Sequence, residues 1–559
     1  MFIDRSNRRT TRATLALLAV AVFAVAAADG CIAASGHSRS RPRSSKTVWQ
    51  NSGTGNDSTC LRGVRKRPCR TIKRACAVAH RGDVIHTHGV TSSKASTCGP
   101  AVQRYVAPTG TDTGNCSKRA TACATLEYAY RLAKPGDTVQ VGCGDYGAQQ
   151  IGYDPAKAGS TRYVRFEAAG AGVCWNQMDG ITIGDPTSTS PQPSYIELDD
   201  VAYDGGIGVR EDPQNAAQVV DYATKFTGDH IVIDGQNGGR FDASAAMNFL
   251  VENSDTGNCA AVYYGKPGAG GVGNFCGNRV LGGVVRSSGS IVNVATHDVQ
   301  GDASPDCITY SQCHTFGYFL RGTNGVLVDR DSFWNDDTAD IRIQDSCSCT
   351  AQEPSNITIQ NSWFGRVPNG QGVGISDDTG VSGGFIVRFN SMSSAHTSGG
   401  YPGGFLICTG MGKDAMSGKG GSACGTDADP AQVYGNLMTQ GGCPTDANYS
   451  YNVVISHSPY NGTTLCGNTD TLYGHGGRAH FPYLKDPARG RPNFNIEGRL
   501  WIGDNHIPLR RVKRYPRTDF HGARRSIWHG RLDAGAVQRM APQPRRKKRP
   551  GHPSKRRRG

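Results

Sequence analysis

Four short stretches, GYFLRG from Gly317, DIRIQD from Asp340, GVGISD from Gly372 and GFLICT from Gly404, share one alternation of apolar and other residues. Aligned with Leu320, Ile343, Ile375 and Ile407 in register, Tyr318, Ile341, Val373 and Phe405 point the same way, because strand side chains alternate between the two faces. The residues between them face outward: Phe319, Arg342, Gly374 and Leu406 in one column, Arg321, Gln344, Ser376 and Cys408 in the next. Asp345 and Asp377 end consecutive stretches, and Asp378 follows. In strands stacked ~4.8 Å apart, these two carboxylates are close enough to chelate Ca²⁺ or share a proton. Such a face suits an acidic sugar. Ca²⁺ would bridge a uronate carboxylate and ease loss of the C5 proton in β-elimination, with Arg342 and Arg321 as the basic groups and Phe319 and Asp378 against the substrate. Carboxylates ~5 Å apart would alternatively serve glycoside hydrolysis with retention. Asp at a strand end is also ordinary turn chemistry. His297, His314 and His396 fit satisfied surface or turn positions better than catalytic bases.

Strands that stack in this way need a repeating scaffold, and the sequence supplies one. From Tyr195 a short strand recurs, often followed by Asn or Asp and a second apolar pair: YIELDDVAY, HIVIDG at His230, GVLVDRDSFW at Gly325, NITIQNSWF at Asn356, FIVRFNSM at Phe385, QVYGNLM at Gln432 and YSYNVVI at Tyr449. One coil per repeat, each burying its apolar face only against its neighbours, describes a solenoid of parallel strands. Asn361, Asn390, Asn436 and Asn452 fall at a similar point in their repeats. Asn tolerates a left-handed bend and bonds locally, so stacked bends are expected to carry an Asn ladder.

The stretch RYVAPTGTDTGNC, continued by ATLEYAYRLAKPGDTVQV and then by the coils, resembles the opening of secreted bacterial right-handed parallel β-helix proteins of the pectin-lyase-like superfamily. The resemblance implies an all-β solenoid whose short N-terminal helix caps the open end. TDFHGARR through LDAGAV, Thr518 to Val537, resembles the closing segment of many members, although Gln538 stands where Glu is usual. The catalytic patterns of the superfamily are not matched. NTDTLYGHG, from Asn468, packs two polygalacturonase-type motifs together that in that family lie on separate coils, and no RxPxxR of the pectate-lyase type occurs.

The expected organisation is a signal peptide over 1–34, a partial duplicate of the opening module over 35–100, the β-helix over 101–480, a closing segment over 481–541 and a disordered basic tail over 542–559. The duplicate is read from VAHRGDVIHTHG and LAKPGDTVQVGCGDY, which share one grammar. A basic start and a sixteen-residue, mostly apolar run from Ala13 to Ala28, short of the ~20 residues a spanning helix needs, point to export. Lipid attachment at Cys31 is the lesser alternative. Setting Cys31 aside leaves 18 of the 19 cysteines, consistent with a disulfide framework in which Cys60 with Cys69, Cys116 with Cys123, and Cys408 with Cys424 are candidate pairs. No CxxC pair favours zinc. The net charge of +15 is carried by the ends: the first 46 residues hold +6 and the last 18 hold +9, which leaves the body neutral. That distribution argues against a nucleic-acid partner and lets the tail contact an anionic cell envelope. Two functions are compatible with this reading: a secreted, monomeric enzyme acting on polysaccharide, lyase before hydrolase, with Ca²⁺ as its only expected cofactor, or a non-catalytic extracellular binding protein of the same fold.

Overall fold

The computed structural model describes, with a few gaps, residues 102–201, 223–261, 277–301, 316–334, 339–344, 354–365, 373–377, 381–392, 406–408, 429–438, 447–455, 465–473, 507–509 and 515–536, with short strands between 47 and 91. One coil shows the plan. Arg240–Met247 turns at Asn248 into Phe249–Glu252, which bends through Asn253 and Ser254 into Asp255–Ala261. The next coil repeats it as Asn278–Leu281, Ser287–Val292 and Ala295–Gly301, and the next as Phe316–Arg321, Thr323–Asp329 and Ser332–Trp334. Every strand pairs in parallel with its counterpart in the following coil. Three parallel sheets therefore run along the molecule, here called first, second and third in the order the chain visits them. The architecture is a right-handed parallel β-helix, in line with the strong right-handed preference of crossovers between parallel strands.

Alternation decides what fills it. In the second sheet Leu198, Ile233, Val251, Ile291, Val328, Ile359, Val387 and Val433 form one in-register inward column, each essentially buried. Tyr318, Leu320, Ile341 and Ile343 do the same from the first sheet, and Phe333 and Phe364 stack from the third at a centroid separation of 5.1 Å. Identical spacing in successive coils superposes apolar groups, so one continuous core forms where no single coil could bury its own face.

The helix expected at the N-terminal end is Leu126–Leu132. The Thr125 hydroxyl accepts from Tyr128 N at its start, while Leu126, Ala129 and Tyr130 are buried against the first strands. The loop before it is closed by the Cys116–Cys123 disulfide, and Cys143 and Cys466 are also disulfide-bonded. In the upstream module Thr47–Gln50 pairs in parallel with Val84–Thr87, as Val102–Val106 pairs with Thr138–Val141. At the other end Ile507–Pro508 pairs with Arg531–Leu532, and Ile507, Leu532 and Ala534 pack on Phe389, Leu437 and Val453. The closing segment thus lies along the corner between the second and third sheets.

The corner corrects one expectation. A left-handed residue stands there in coil after coil: Asp200, Gly235, Asn253, Asn293, Arg330, Asn361, Phe389, Gly435 and Tyr451. The buried polar ladder uses the next residue. Asn390 N and Nδ2 donate to Asn436 Oδ1 (3.0 and 3.1 Å), Asn436 N and Nδ2 donate to Asn452 Oδ1 (both 3.0 Å), and Asn452 N donates to Asp470 Oδ1 (2.9 Å). Upstream, Ser362 N donates to Asn390 Oδ1, Asp331 N to Ser362 Oγ and Val294 N to Asp331 Oδ1. Asn390, Asn436 and Asn452 are ladder members as expected; Asn361 is not, because it is the left-handed residue itself and Ser362 takes its place.

Candidate functional site

The outward columns expected on the first sheet are met only in part. Phe319 pairs with Arg342 and Arg321 with Gln344, as the alignment requires. The next coil is displaced by two residues: Ile341 lies opposite Ile375, Arg342 opposite Ser376 and Ile343 opposite Asp377. The coil after that slips by one, with Ile375 opposite Leu406 and Asp377 opposite Cys408. A slip of one exchanges the two faces of a strand, and a slip of two moves a residue along its own face. Asp377 is therefore level with Ile343 rather than with the position after Gln344 where Asp345 was placed to meet it. Asp345 and Asp378 lie outside the described residues, as do Cys60, Cys69, Cys424, His314 and His396. Among the described residues no group of three or more His, Cys, Asp or Glu is gathered as a metal site.

Arg342 and Phe319 face away from the main core but are not open to solvent. Arg342 is 6 % exposed with its guanidinium 4.7 Å above the Phe316 ring, and Phe316, Phe319 and Ala339 form a small buried cluster beside Leu281. Alternation gives the face of a side chain without saying what covers that face. Arg321 is half-buried. His297 is a satisfied surface residue, its Nε2 2.9 Å from Asp255 Oδ1 and its ring stacked on Trp334.

The second sheet brings together a row that the sequence reading passed over. One residue before each left-handed bend points outward, because it neighbours the inward column. Pairing aligns Gln140, Glu167, Asp199, Asp234, Glu252, Val292, Asp329, Gln360, Arg388 and Tyr434 in one register. Its C-terminal part is a hydrogen-bonded chain across four coils. Gln360 Nε2 donates to Asp329 Oδ1 (3.1 Å), Arg388 Nε donates to Gln360 Oε1 (2.9 Å), and Arg388 Nη1 donates to Tyr434 Oη (2.9 Å). Asp329 also accepts from Asn361 Nδ2 (2.7 Å) and Arg330 Nε (3.3 Å). Asp329, Arg388 and Tyr434 are half-buried and Gln360 is buried. Beside the row, also facing out, runs a half-buried column of Val232, Leu250, Ser290, Leu327, Thr358 and Ile386. A polar track with an acid, an amide, a guanidinium and a phenol next to an apolar track can hold an elongated ligand that presents hydroxyls and carboxylates on one edge and C–H surface on the other.

Across the same corner, inside the barrel, Asp331 is fully buried. Burial is the main cause that pushes its pKa well above the usual carboxylate range and the nearby Asp329 charge adds to it, against the bonds from Val294 N and the Tyr318 hydroxyl (3.0 Å to Oδ2).

The pairing defines the class: a parallel β-helix. No protein-family profile and no curated protein matches the chain. Solved structures similar to it include pectate lyase Pel9A (14 % identity over 64 % of this chain and 81 % of that one, TM-score 0.33). Others are a rhamnogalacturonan lyase (11 %, 63 % and 87 %, 0.32) and XylC in complex with xylose (10 %, 78 % and 98 %, 0.34). These likenesses assign no activity to this chain. The class rests on its own strand register, and any chemistry must come from its own residues.

Proposed function

We propose that this is an exported polysaccharide-binding β-helix whose contact surface is the outward face of the second sheet, and that its ligand is a uronic-acid glycan. The observation that carries the reading is the hydrogen-bonded row Asp329, Gln360, Arg388 and Tyr434 across four consecutive coils. Arg388 donates to Gln360 and to Tyr434 within the row, and a guanidinium on this face is the group whose planar donors suit a ligand carboxylate. Asp329, Gln360 and Tyr434 supply acceptors and donors for sugar hydroxyls, and the Leu327 to Ile386 column supplies an apolar flank. The parallel stack repeats the same register ~4.8 Å apart, which matches a linear polymer better than a small molecule. Disulfides at Cys116, Cys123, Cys143 and Cys466 suit an oxidising compartment. Among the described residues no helix is long and apolar enough to cross a membrane. In this reading the basic tail adds a weak electrostatic hold on anionic cell-envelope polymers.

Lyase chemistry with Ca²⁺ at Asp345 and Asp377 is the second, finer reading, and the buried state of Arg342 ranks it below binding. One experiment separates them: the mature protein is incubated with a panel of uronic-acid polysaccharides, with and without Ca²⁺, following bound polymer, unsaturated-product absorbance and reducing ends together. Binding without new ends or absorbance supports the proposal. Ca²⁺-dependent absorbance would establish the lyase, and neither signal on any polymer would reject both.

A further inference from the structure

We infer that Arg525, in the closing segment, is a positioning residue for the polar row, acting through Asn361 to hold Asp329, 196 residues away in sequence; the inference rests on the binding role proposed for that row. The turn carrying Arg525 is tightly specified. Asp519 Oδ1 accepts from His521 N and Ala523 N, Gly522 takes the left-handed backbone between them, and Thr518 bridges Arg524. Arg525 is thereby laid on the corner between the second and third sheets. It is 3 % exposed, its guanidinium lies 4.5 Å above the Phe389 ring, and Nη2 donates to Ala536 O and to Asn361 Oδ1.

The consequence follows from the donor inventory. A guanidinium has no acceptor, so it fixes Asn361 with its carbonyl oxygen toward Arg525. The Asn361 amide nitrogen must then face the other way, where it donates to Asp329 Oδ1 at 2.7 Å. Asn361 is fully buried and held in the left-handed conformation by the corner (φ 54°), so the amide has few alternatives besides a flip. A flip would set its oxygen against the Asp329 carboxylate. Asp329 Oδ1 so placed also accepts from Gln360, whose oxygen meets Arg388 Nε while Arg388 Nη1 meets Tyr434, so the position of Asp329 is passed along the row. One buried cation in the strap thus fixes the Asn361 amide, and through its bond to Oδ1 holds the Asp329 carboxylate in place at the acidic end of the row.

The test uses the full chain and a short oligogalacturonate as probe. Arg525→Met keeps the stem over Phe389 and removes the donors; Arg525→Lys keeps the charge and one donor nitrogen; Asp329→Asn removes the charge the chain serves. Arg525→Met is expected to weaken probe binding about fivefold to tenfold, and the Arg525→Met/Asp329→Asn double variant to bind no worse than Asp329→Asn alone, since the two act in series. Arg525→Lys should recover most of the affinity, and it decides the matter if Arg525→Met does not fold. In the absence of probe, the side-chain ¹⁵N resonances of Gln360 and Arg388 should move in Arg525→Met. Independent, additive losses, or unmoved resonances, would overturn the inference. A wild type that binds no oligogalacturonate would defeat the proposed ligand, and the resonances alone would then decide whether Arg525 orders the row.

Discussion

Two rows of polar side chains flank the same left-handed residue at the corner between the second and third sheets, and they obey different rules. The inner row repeats one chemistry, Ser362, Asn390, Asn436, Asn452 and Asp470, each member meeting the next. Water cannot reach it, so every donor needs an acceptor from an adjacent coil, and only short side chains with the right polar atom succeed. The outer row varies from Asp329 to Gln360 to Arg388 to Tyr434, because its longer side chains reach their partners across coils and, Gln360 apart, keep partial contact with solvent. Sameness at a repeating position is thus what the architecture demands, and variety at a repeating position is where function has room to act.

The comparison breaks most visibly on stability. Asn436→Ala removes the acceptor of both Asn390 donors and the donor to Val387 O (3.0 Å), all inside the barrel. The expected cost is about 3–5 kcal/mol in chemical denaturation, from buried groups left unpaired, with unchanged glycan affinity in the protein that remains folded. A cost under about 1 kcal/mol would show that the inner row is dispensable.

Asp331→Asn probes the carboxyl that continues that row at its N-terminal end, one coil before Ser362. Its folded pKa is raised, so the native state holds a proton that the unfolded chain has released, and the wild type loses stability as pH rises from the unfolded value toward the folded one. The variant cannot titrate there. Its stability relative to wild type should grow with pH across that window and level off above it, measured by denaturation at several pH values; a pH-independent difference would mean that Asp331 is not held protonated. The smallest stability effect is expected outside: Arg388→Ala should change stability by no more than about 1 kcal/mol, in keeping with half-exposed polar pairs.

Much of this was legible in the sequence. The coils, the capping helix and three of four ladder asparagines follow from apolar alternation and recurring Asn, since those features are properties of each repeat alone. Register between coils was not. The loops between coils differ in length, so aligning Ile343 with Ile375 by similarity missed the two-residue and one-residue displacements that move Asp377 to the level of Ile343. The outer row was in plain view as the residue before each bend, in VIDG, LVDRD, TIQNS, VRFNS and VYGNL. Its residue type changes from coil to coil while the inner position keeps Asn at Asn390, Asn436 and Asn452, so no repeating residue marks the outer row in the sequence. The role of Arg525 was beyond reach, since nothing local ties a C-terminal turn to Asn361.

The central claim is that ligand lies on the outward face of the second sheet and not on the first. Its most direct test is calorimetric titration of wild type, Arg388→Ala and Arg342→Ala with one uronic-acid oligosaccharide that the wild type binds. The account predicts a loss of about tenfold or more for Arg388→Ala, as expected when a charge-assisted contact is removed, and near wild-type affinity for Arg342→Ala. Full affinity in Arg388→Ala together with a loss in Arg342→Ala would contradict it and return the site to the first sheet.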